Sequence, residues 1–287
     1  MTRSRSGVGE SPVWSVEEAA LYWVDITGHA VRRLHPATGT EDVWSMPEMV
    51  TSLGLRRSGG FVLGLRKRIC LWTPDGDLDD LAVIEPDRPG NRLNEGAVAP
   101  DGSFWVGTMQ DNILPDGGAR DVDEATGALW RVAPDGSVAR LCGDLFGITN
   151  MMIWRDGSFV TADTVAGAFY AYAWDGSALR DREPFGSAAP GAPDGGAADA
   201  DGTIWNARFG GGCLIGFGPA GDVVTRLDVP CTNPTSAAFG GSDLRDLYVT
   251  SATFGLADAA MADNPAEGRV HVVRMERPGH PPNLFEG

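Results

Sequence analysis

The pentapeptide Glu10-Ser11-Pro12-Val13-Trp14 opens a unit that the chain repeats six times. In each copy one polar residue stands directly before a short apolar run, as in ESPVW, TSLGL, NEGAV, NMMIW, DGGAA and TSAAF. The polar residues that align in this way are Glu10, Thr51, Asn94, Asn150, Asp194 and Thr235. Repetition every 40 to 60 residues or so is typical of solenoids, propellers and arrays.

The body of each unit has the character of short β-strands. The first unit contains four apolar, partly alternating runs, Glu10–Ser15, Leu21–Asp25, Ala30–Leu34 and Asp42–Met46. Asp-Gly pairs, several of them preceded by Pro, mark tight turns, and no helical segment is long enough to connect parallel strands. The pattern predicts an all-β fold, a six-bladed β-propeller of four-stranded antiparallel blades, in a single domain over residues 1–287. A β-sandwich is the rival fold, but it would not require one polar position throughout the chain.

Closure of the ring is the open question in this prediction. Only three strands are recognisable in the third, fourth and sixth units. The sixth unit must join the first, and its missing strand could come from Met1–Gly7 or from Asn283–Gly287. The sequence does not choose between the two ends.

Two connections after the second strand of a unit are long, Met109–Gly127 and Ala252–Gly268, and the latter has room for a helical turn or two. In a propeller these connections lie at the mouth where the innermost strands begin, so both are candidate lids or binding loops. The equivalent connections in other units place Asp25, Asp163 and Arg208 at the same mouth.

Composition limits the possible partners and the compartment. The chain has 287 residues and a formal net charge of −16, which disfavours nucleic acids and anionic membranes as partners. The N-terminal residues lack an apolar signal core, and no apolar run is long enough to span a membrane. The four cysteines, Cys70, Cys142, Cys213 and Cys231, lack CxxC spacing, which predicts free thiols and a cytoplasmic protein. Oligomeric state is not predicted.

Three of the repeated polar residues are good ligands for a hard cation. Glu10, Asn150 and Asp194 would bring two carboxylates and one amide carbonyl to the same mouth. Two buried carboxylates repel each other, and a divalent cation between them removes that cost. Oxygen ligands suit Ca²⁺, Mg²⁺ and Mn²⁺, and carboxylates also bind Zn²⁺. The residues predict one divalent metal ion with coordination positions left for water and substrate.

The segment NRLNEG supplies candidate substrate-binding residues. Arg92 offers paired donors to an oxygen-rich ligand, and Asn94 is in register with the proposed metal ligands. Glu95 would either support Arg92 or face the same cavity. No G-x-S-x-G elbow, P-loop or H-E-x-x-H motif is present, and the four histidines form no metal-spaced pair.

Several motifs, in order along the chain, resemble those of the SMP-30/gluconolactonase/luciferin-regenerating-enzyme (LRE) family. They include GESPVW from Gly9, LYWVDI from Leu21, NRLNEGAVAPDGSFWVGTM from Asn91, PDG from Pro193 and NPTSAAFGG from Asn233. The resemblance covers nearly the whole chain. It departs from the family pattern at Glu95, where Asp is common, and at Met151-Met152, where Gly-Leu or similar is usual.

The resemblance implies a six-bladed propeller with one catalytic divalent metal held by Glu10, Asn150 and Asp194. It also implies substrate binding by Arg92 and Asn94 and a general-base role for Asp194. Many relatives hydrolyse sugar-acid lactones, and some similar propellers cleave organophosphates.

The hypothesis is therefore a metal-dependent lactonase of the gluconolactonase type that acts on an aldonolactone through activated water. Phosphotriester hydrolysis at the same ion is one alternative, and it would require a more apolar mouth. A propeller that binds metal or protein without catalysis is the other.

Overall fold

The first strands of six antiparallel sheets stand side by side around one axis and form a six-bladed β-propeller. The computed structural model describes residues 1–74, 76–114, 117–155 and 157–287. The turns predicted at Asp75 and Asp156, and two residues of the 109–127 loop, lie outside the described residues.

Five blades have four strands and the sixth has three, each in simple up-and-down order from the axis outward. Blade 1 contains β1 (Gly9–Ser15), β2 (Ala20–Asp25), β3 (Ala30–His35) and β4 (Thr40–Ser45), and blade 2 contains β5 (Val50–Leu55), β6 (Phe61–Leu65), β7 (Arg68–Trp72) and β8 (Leu78–Val83). Blade 3 contains β9 (Asn91–Val98), β10 (Phe104–Gln110), β11 (Leu129–Val132) and β12 (Val138–Arg140), and blade 4 contains β13 (Thr149–Arg155), β14 (Ser158–Asp163), β15 (Ala168–Trp174) and β16 (Leu179–Phe185). Blade 5 contains β17 (Ala192–Ala198), β18 (Ile204–Phe209), β19 (Cys213–Phe217) and β20 (Val223–Asp228), and blade 6 contains β21 (Pro234–Gly240), β22 (Asp246–Ser251) and β23 (His271–Arg274).

The outermost strands of blades 3 and 4 are present although the sequence did not reveal them. All three residues of β12 are exposed, and β16 buries only its first residue, Leu179. A strand at the edge of a blade has little surface to pack against, so its sequence lacks the apolar alternation that identifies inner strands. The inner strands pack between blades. Trp105 of blade 3, for example, meets Trp154 and Trp174 of blade 4 edge-on at 5.2 and 5.4 Å between ring centroids.

Contacts between the first strands close the ring, because β21 of blade 6 lies against β1 of blade 1. The hydroxyl of Thr235 donates a hydrogen bond to the Gly9 carbonyl across this junction. The Ser11 hydroxyl bridges the next junction, since it accepts a 3.1 Å hydrogen bond from the Leu53 amide.

Neither terminus adds a regular fourth strand to blade 6 in the described part of the chain. The N-terminal segment runs beside it, and Thr2 and Ser6 donate their amides to the carbonyls of Val270 and Gly268 at 3.0 and 2.7 Å. The expectation that Asn283–Gly287 could complete blade 6 is wrong. That segment packs on blades 2 and 3, where Phe285 is fully buried and its amide donates a hydrogen bond to the Leu55 carbonyl. Burial of the large aromatic side chain in this core stabilises the segment there.

The long connection of blade 6 contains one short helix, α1 (Asp258–Asp263), as the sequence suggested. All four cysteines are free. Within the described ranges, no helix combines the length and apolar character needed to cross a bilayer. The single-domain boundary and the cytoplasmic location remain predictions.

Candidate active site

A β-bulge interrupts the first strand of every blade at the repeated polar residue. The register shifts between Glu10 and Val13 in β1, between Asn150 and Met152 in β13, and between Pro193 and Gly196 in β17, with equivalent shifts in β5, β9 and β21. A bulge puts two residues opposite one and redirects a side chain out of the regular alternation. The sequence repeat therefore corresponds to a repeated backbone irregularity, and in blades 1, 3, 4 and 5 the repeated side chain lines one axial cavity.

The backbone next to two of these residues is in an unusual conformation. Ser11 and Met151 have φ values of 49° and 50°, in the left-handed region that non-glycine residues seldom occupy. Such conformations cost free energy and persist only where the surrounding structure holds them. In both cases this conformation turns the side chain of the preceding residue, Glu10 or Asn150, toward the centre of the ring.

The structure brings Glu10, Asn150 and Asp194 together. Glu10, Asn150 and Asp194 line one cavity, and all three are buried, with exposures of 8, 4 and 5 %. Each carboxylate also accepts the amide of the next residue, Ser11 in one case and Gly195 in the other, at 3.1 Å. Blades 4 and 5, which supply Asn150 and Asp194, are consecutive along the chain, whereas Glu10 comes from blade 1 near the N-terminus.

The two carboxylates are in an unfavourable environment as anions. Burial raises the pKa of Glu10 well above its usual range, and the charges of Asp194 and Glu95 raise it further. Burial also raises the pKa of Asp194 well above its usual range, with Glu95 again adding to the effect. Hydrogen bonds to the ionised form act in the opposite direction but do not offset the burial. A cation at this point would favour the ionised form of both groups.

Asn150 is oriented so that its oxygen is available. Its Nδ2 donates to the Thr164 hydroxyl at 3.0 Å, and that hydroxyl donates in turn to the Pro193 carbonyl at 2.8 Å. The Oδ1 atom is buried and has no hydrogen-bond partner among the described residues. A buried polar atom without a partner costs about 1–3 kcal/mol, so this oxygen indicates a ligand. Two ionisable carboxylates and a free carbonyl oxygen form a donor set that fits a hard divalent cation.

Because the third donor is an amide, the site does not stand out as a cluster of the ionisable side chains that commonly bind metals. Across the described ranges, no group of three or more His, Cys, Asp or Glu side chains is arranged to hold a metal ion. The set of Glu10, Asn150 and Asp194 contains only two such side chains.

Arg92 and Asn94 form a polar platform beside these residues. Arg92 Nη1 donates to Asn94 Oδ1 and Arg92 Nη2 donates to Asn112 Oδ1, both at 2.8 Å. Asn94 Nδ2 donates to the Thr149 carbonyl at 2.9 Å. Arg92 is buried, which lowers its pKa to about 10, and its Nε lies 3.8 Å from an Asp111 carboxylate oxygen. The guanidinium therefore remains charged at neutral pH and is held in one orientation.

Glu95 lines a different cavity from Asn94, and its contact with a substrate remains a prediction. It lines the axial channel on the other side of the carboxylate pair from the upper cavity. It accepts the amide of Gly96 at 3.2 Å, and burial raises its pKa to about 7. Neighbouring side chains of an extended strand point in opposite directions, and Asn94 and Glu95 of β9 accordingly line different cavities.

A cavity of about 260 Å³ opens above the three proposed ligands. Polar side chains of blades 3 and 4 line one part of it, and apolar side chains line much of the rest. The polar residues apart from Glu10, Asn150 and Asp194 are Arg92, Asn94, Asn112 and Thr164, and the apolar ones are Val8, Ile26, Met109, Ile113, Ile148, Phe209 and Phe254. The long loops of blades 3 and 6 supply Asn112, Ile113 and Phe254, so both contribute to the cavity wall.

Sequence reasoning missed Asn112 and Thr164. Asn112 lies in a long loop without a repeat to align it, and Thr164 follows the end of β14. Thr164 could have been found from its position beside Asp163, because the loops after second strands were expected at this mouth.

Asp25, Asp163 and Arg208 reach the mouth as expected, but they do not line the cavity. Asp163 accepts the backbone amides of Gly147 and Ile148, which precede β13, at 2.9 and 3.2 Å. Asp25 does the same for Gly7 and Val8, and Arg208 donates to the carbonyls of residues 189, 190 and 191. Each of the three fixes the segment that leads into a first strand, and thereby the residue that follows at the bulge.

Fold and site together define a six-bladed propeller with a buried carboxylate pair and a free amide oxygen at one axial mouth. The family model described as "SMP-30/Gluconolactonase/LRE-like region" matches residues 8–253. The chain belongs to this family.

Similar proteins extend over the full length. The chain is 34% identical to the 6-deoxy-6-sulfogluconolactonase of Pseudomonas putida over 100% of this chain and 98% of that protein. It is 36% identical to pentonolactonase XacC of Haloferax volcanii over 85% of this chain and 81% of that protein. The crystal structure of a calcium-binding protein, regucalcin, from Agrobacterium tumefaciens superposes with a TM-score of 0.90 at 28% identity, covering 99% of this chain and 96% of that one.

Proposed function

We propose that the protein hydrolyses a sugar-acid lactone and that Glu10, Asn150 and Asp194 hold one divalent metal ion for this reaction. The observation that carries the proposal is the buried, unpartnered oxygen of Asn150 beside two carboxylates at the floor of a cavity. The lactonases among the similar proteins support the reaction type, and the calcium-binding regucalcin supports a divalent ion. Ca²⁺ is therefore the first ion to test, followed by Mg²⁺, Mn²⁺ and Zn²⁺.

The side chains of the site have different roles in the proposed reaction. A bound divalent ion supplies Lewis acidity toward the lactone carbonyl and toward water. The polar platform of Arg92 and Asn94, together with Asn112, binds substrate hydroxyls and fixes the orientation of the ring. Asp194 accepts the proton of the attacking water, and the ester bond opens to give the free sugar acid.

The apolar part of the cavity supports a second candidate, phosphotriester hydrolysis at the same site. Phe209, Phe254 and Ile26 provide the apolar surroundings that this alternative requires. However, apolar substituents would offer no hydrogen-bond partner to the polar side chains that line the rest of the cavity, Arg92, Asn94 and Asn112. We therefore favour the hydroxylated lactone.

The test compares glucono-1,5-lactone and a nitrophenyl phosphotriester as substrates, before and after treatment with a chelator and after return of each ion. Wild type and Asp194→Ala are assayed together. We expect lactone hydrolysis that requires an ion and Asp194. Lactone hydrolysis that survives both changes would contradict the mechanism, and tight ion binding without turnover on a lactone and ester panel would favour a non-catalytic propeller.

A further inference from the structure

The order of the blades gives the substrate cavity two sides that differ in the polar side chains they offer. In a ring of six blades, blade 3 faces blade 6 and blade 4 faces blade 1. Arg92, Asn94, Asn112 and Thr164 come from blades 3 and 4, and we call them the polar wall. Val8 and Ile26 of blade 1 and Phe254 of blade 6 lie opposite, Phe209 of blade 5 lies between the two sides, and we call these four residues the apolar wall. Met109, Ile113 and Ile148 add apolar surface on the side of blades 3 and 4, but apart from the proposed metal ligands every polar side chain among the described residues that line the cavity comes from blades 3 and 4.

The apolar wall offers no side-chain hydrogen bond to a ligand. Its four described members are hydrocarbon side chains, and Ile113 of the long loop joins Val8 and Ile26 in one apolar cluster. Apart from the proposed metal ligands Glu10 and Asp194, the polar side chains that these blades bring to the mouth are already used, since Asp25 binds the backbone of residues 7 and 8 and Arg208 binds that of residues 189–191. Among the described residues that line the cavity, Arg92 is the only cation, and it belongs to the polar wall.

The shape of a 1,5-lactone relates these walls to particular atoms of the substrate. In the six-membered ring, C2 and C3 lie on one side of the line from the carbonyl carbon to C4, and the ring oxygen and C5 lie on the other. With the carbonyl at Glu10, Asn150 and Asp194, and with the C2 and C3 hydroxyls on the polar wall, the C5 substituent faces the apolar wall.

We infer that the preferred substrate is an aldonolactone with an apolar C5 substituent, namely a 6-deoxyhexonolactone, which carries a methyl group where gluconolactone carries a hydroxymethyl group. This inference rests on the proposed lactonase function. A methyl group buries apolar surface against Phe209 and Phe254. A hydroxymethyl group would bury a hydroxyl without a partner, and a pocket of this kind discriminates against an added hydroxyl by about 10- to 100-fold.

The experiment measures kcat/KM for 6-deoxyglucono-1,5-lactone and glucono-1,5-lactone, which differ by one oxygen atom, after subtraction of spontaneous hydrolysis. We expect the deoxy lactone to be favoured about 10-fold or more in the wild type. The variant Val8→Thr places a hydroxyl in the apolar wall at nearly constant volume and should reduce the preference about fivefold. Val83→Thr, on the exposed outer strand of blade 2, is the matched control and should leave the preference unchanged.

The outcomes separate this inference from the proposed function. Equal or better hydrolysis of gluconolactone would overturn the inference and leave the lactonase proposal standing. A preference for the deoxy lactone that Val8→Thr does not alter would also overturn it, because the C5 substituent would then contact another surface. No hydrolysis of either lactone with any of the four ions would contradict the proposed function itself.

Discussion

Blades 3 and 4 carry the same residue type at the repeated position, but the two amides are used differently. The oxygen of Asn94 accepts a hydrogen bond from Arg92, and its nitrogen donates to the Thr149 carbonyl. The nitrogen of Asn150 is likewise engaged, by Thr164, but its oxygen is buried without a partner. Position in the repeat brings both side chains to the axis, whereas the neighbouring groups decide whether an oxygen remains for a ligand.

The other blades extend this comparison. Thr51 and Thr235, in blades 2 and 6, donate their hydroxyls to backbone carbonyls of Gly64 and Gly9. Glu10 and Asp194, in blades 1 and 5, accept one backbone amide each and retain unused acceptor capacity. Half of the repeated positions therefore stabilise the ring, and the other half form the candidate metal site.

Replacement of Asp194 by asparagine should have the largest effect. Asp194→Asn keeps the shape but removes a ligand charge and the proposed base, so we expect lactone hydrolysis to fall by at least about 10³-fold. The apo protein should be no less stable than wild type, because one of two repelling buried acids is lost. Asp135→Asn, at an exposed turn, is the control. Retention of more than a tenth of the activity would remove Asp194 from the mechanism.

The two asparagines provide the next test. Asn150→Ala removes the free oxygen, and we expect the affinity for the divalent ion, measured by calorimetry, to fall by 10-fold or more. Asn94→Ala should change that affinity by less than about threefold, since its oxygen already serves Arg92. It should raise KM instead, because Arg92 loses a group that orients it. Equal losses of ion affinity in both variants would refute the difference between blades 3 and 4.

The fold could be predicted from the sequence because the same types of side chain recur at equivalent positions in the six repeats. Inner strands alternate or are fully apolar, as in β6, whereas the exposed β12 and β16 carry no pattern to read. The destination of the C-terminal tail could not be predicted either. In the sequence, Phe285 is an isolated aromatic residue near a chain end. Only the structure shows that it packs in the core between blades 2 and 3.

The candidate site was predictable in position but not in detail. Glu10, Asn150 and Asp194 share a register, so their convergence follows from the ring. Register does not reveal on which side of a bulge a side chain emerges, so it did not separate Asn94, which lines the cavity above the proposed ligands, from Glu95, which lines the axial channel. Asn112 belongs to a loop with no counterpart in other blades, so no repeat could identify it.

The pH dependence of stability should distinguish the acidic positions from the others. In the unfolded chain the carboxyls of Glu10 and Asp194 lose their protons near pH 4, but burial and mutual repulsion keep them protonated to higher pH in the folded state. The unfolded state then binds fewer protons, so stability falls as pH rises from about 4 toward 7. Glu95, whose pKa is raised to about 7, contributes in the same direction.

Thermal unfolding of chelator-treated protein measures this effect. We expect the ion to raise Tm more at pH 7 than at pH 4.5, by roughly 5 °C or more, because it binds the ionised carboxylates. Asp194→Asn should flatten the decline in the chelated protein. Residues with lowered pKa, such as Asp101, have the opposite effect in both proteins and cancel in the comparison. A chelated wild type that gains stability over this range would contradict the assignment.

The smallest effects are expected at the threonines. Thr51→Val preserves shape and removes a buried 3.2 Å hydrogen bond to the Gly64 carbonyl, at a cost of about 1 kcal/mol, or about 2–4 °C in Tm. Ion affinity should not change, since the hydroxyl faces its own blade. Thr235→Val should cost a similar amount and also weaken ion binding by about two- to threefold, because its hydroxyl holds the carbonyl of Gly9, next to Glu10. If Thr51→Val weakened ion binding as much as Asn150→Ala, blade 2 would have to contribute a ligand, and the division between structural and ion-binding blades would fail.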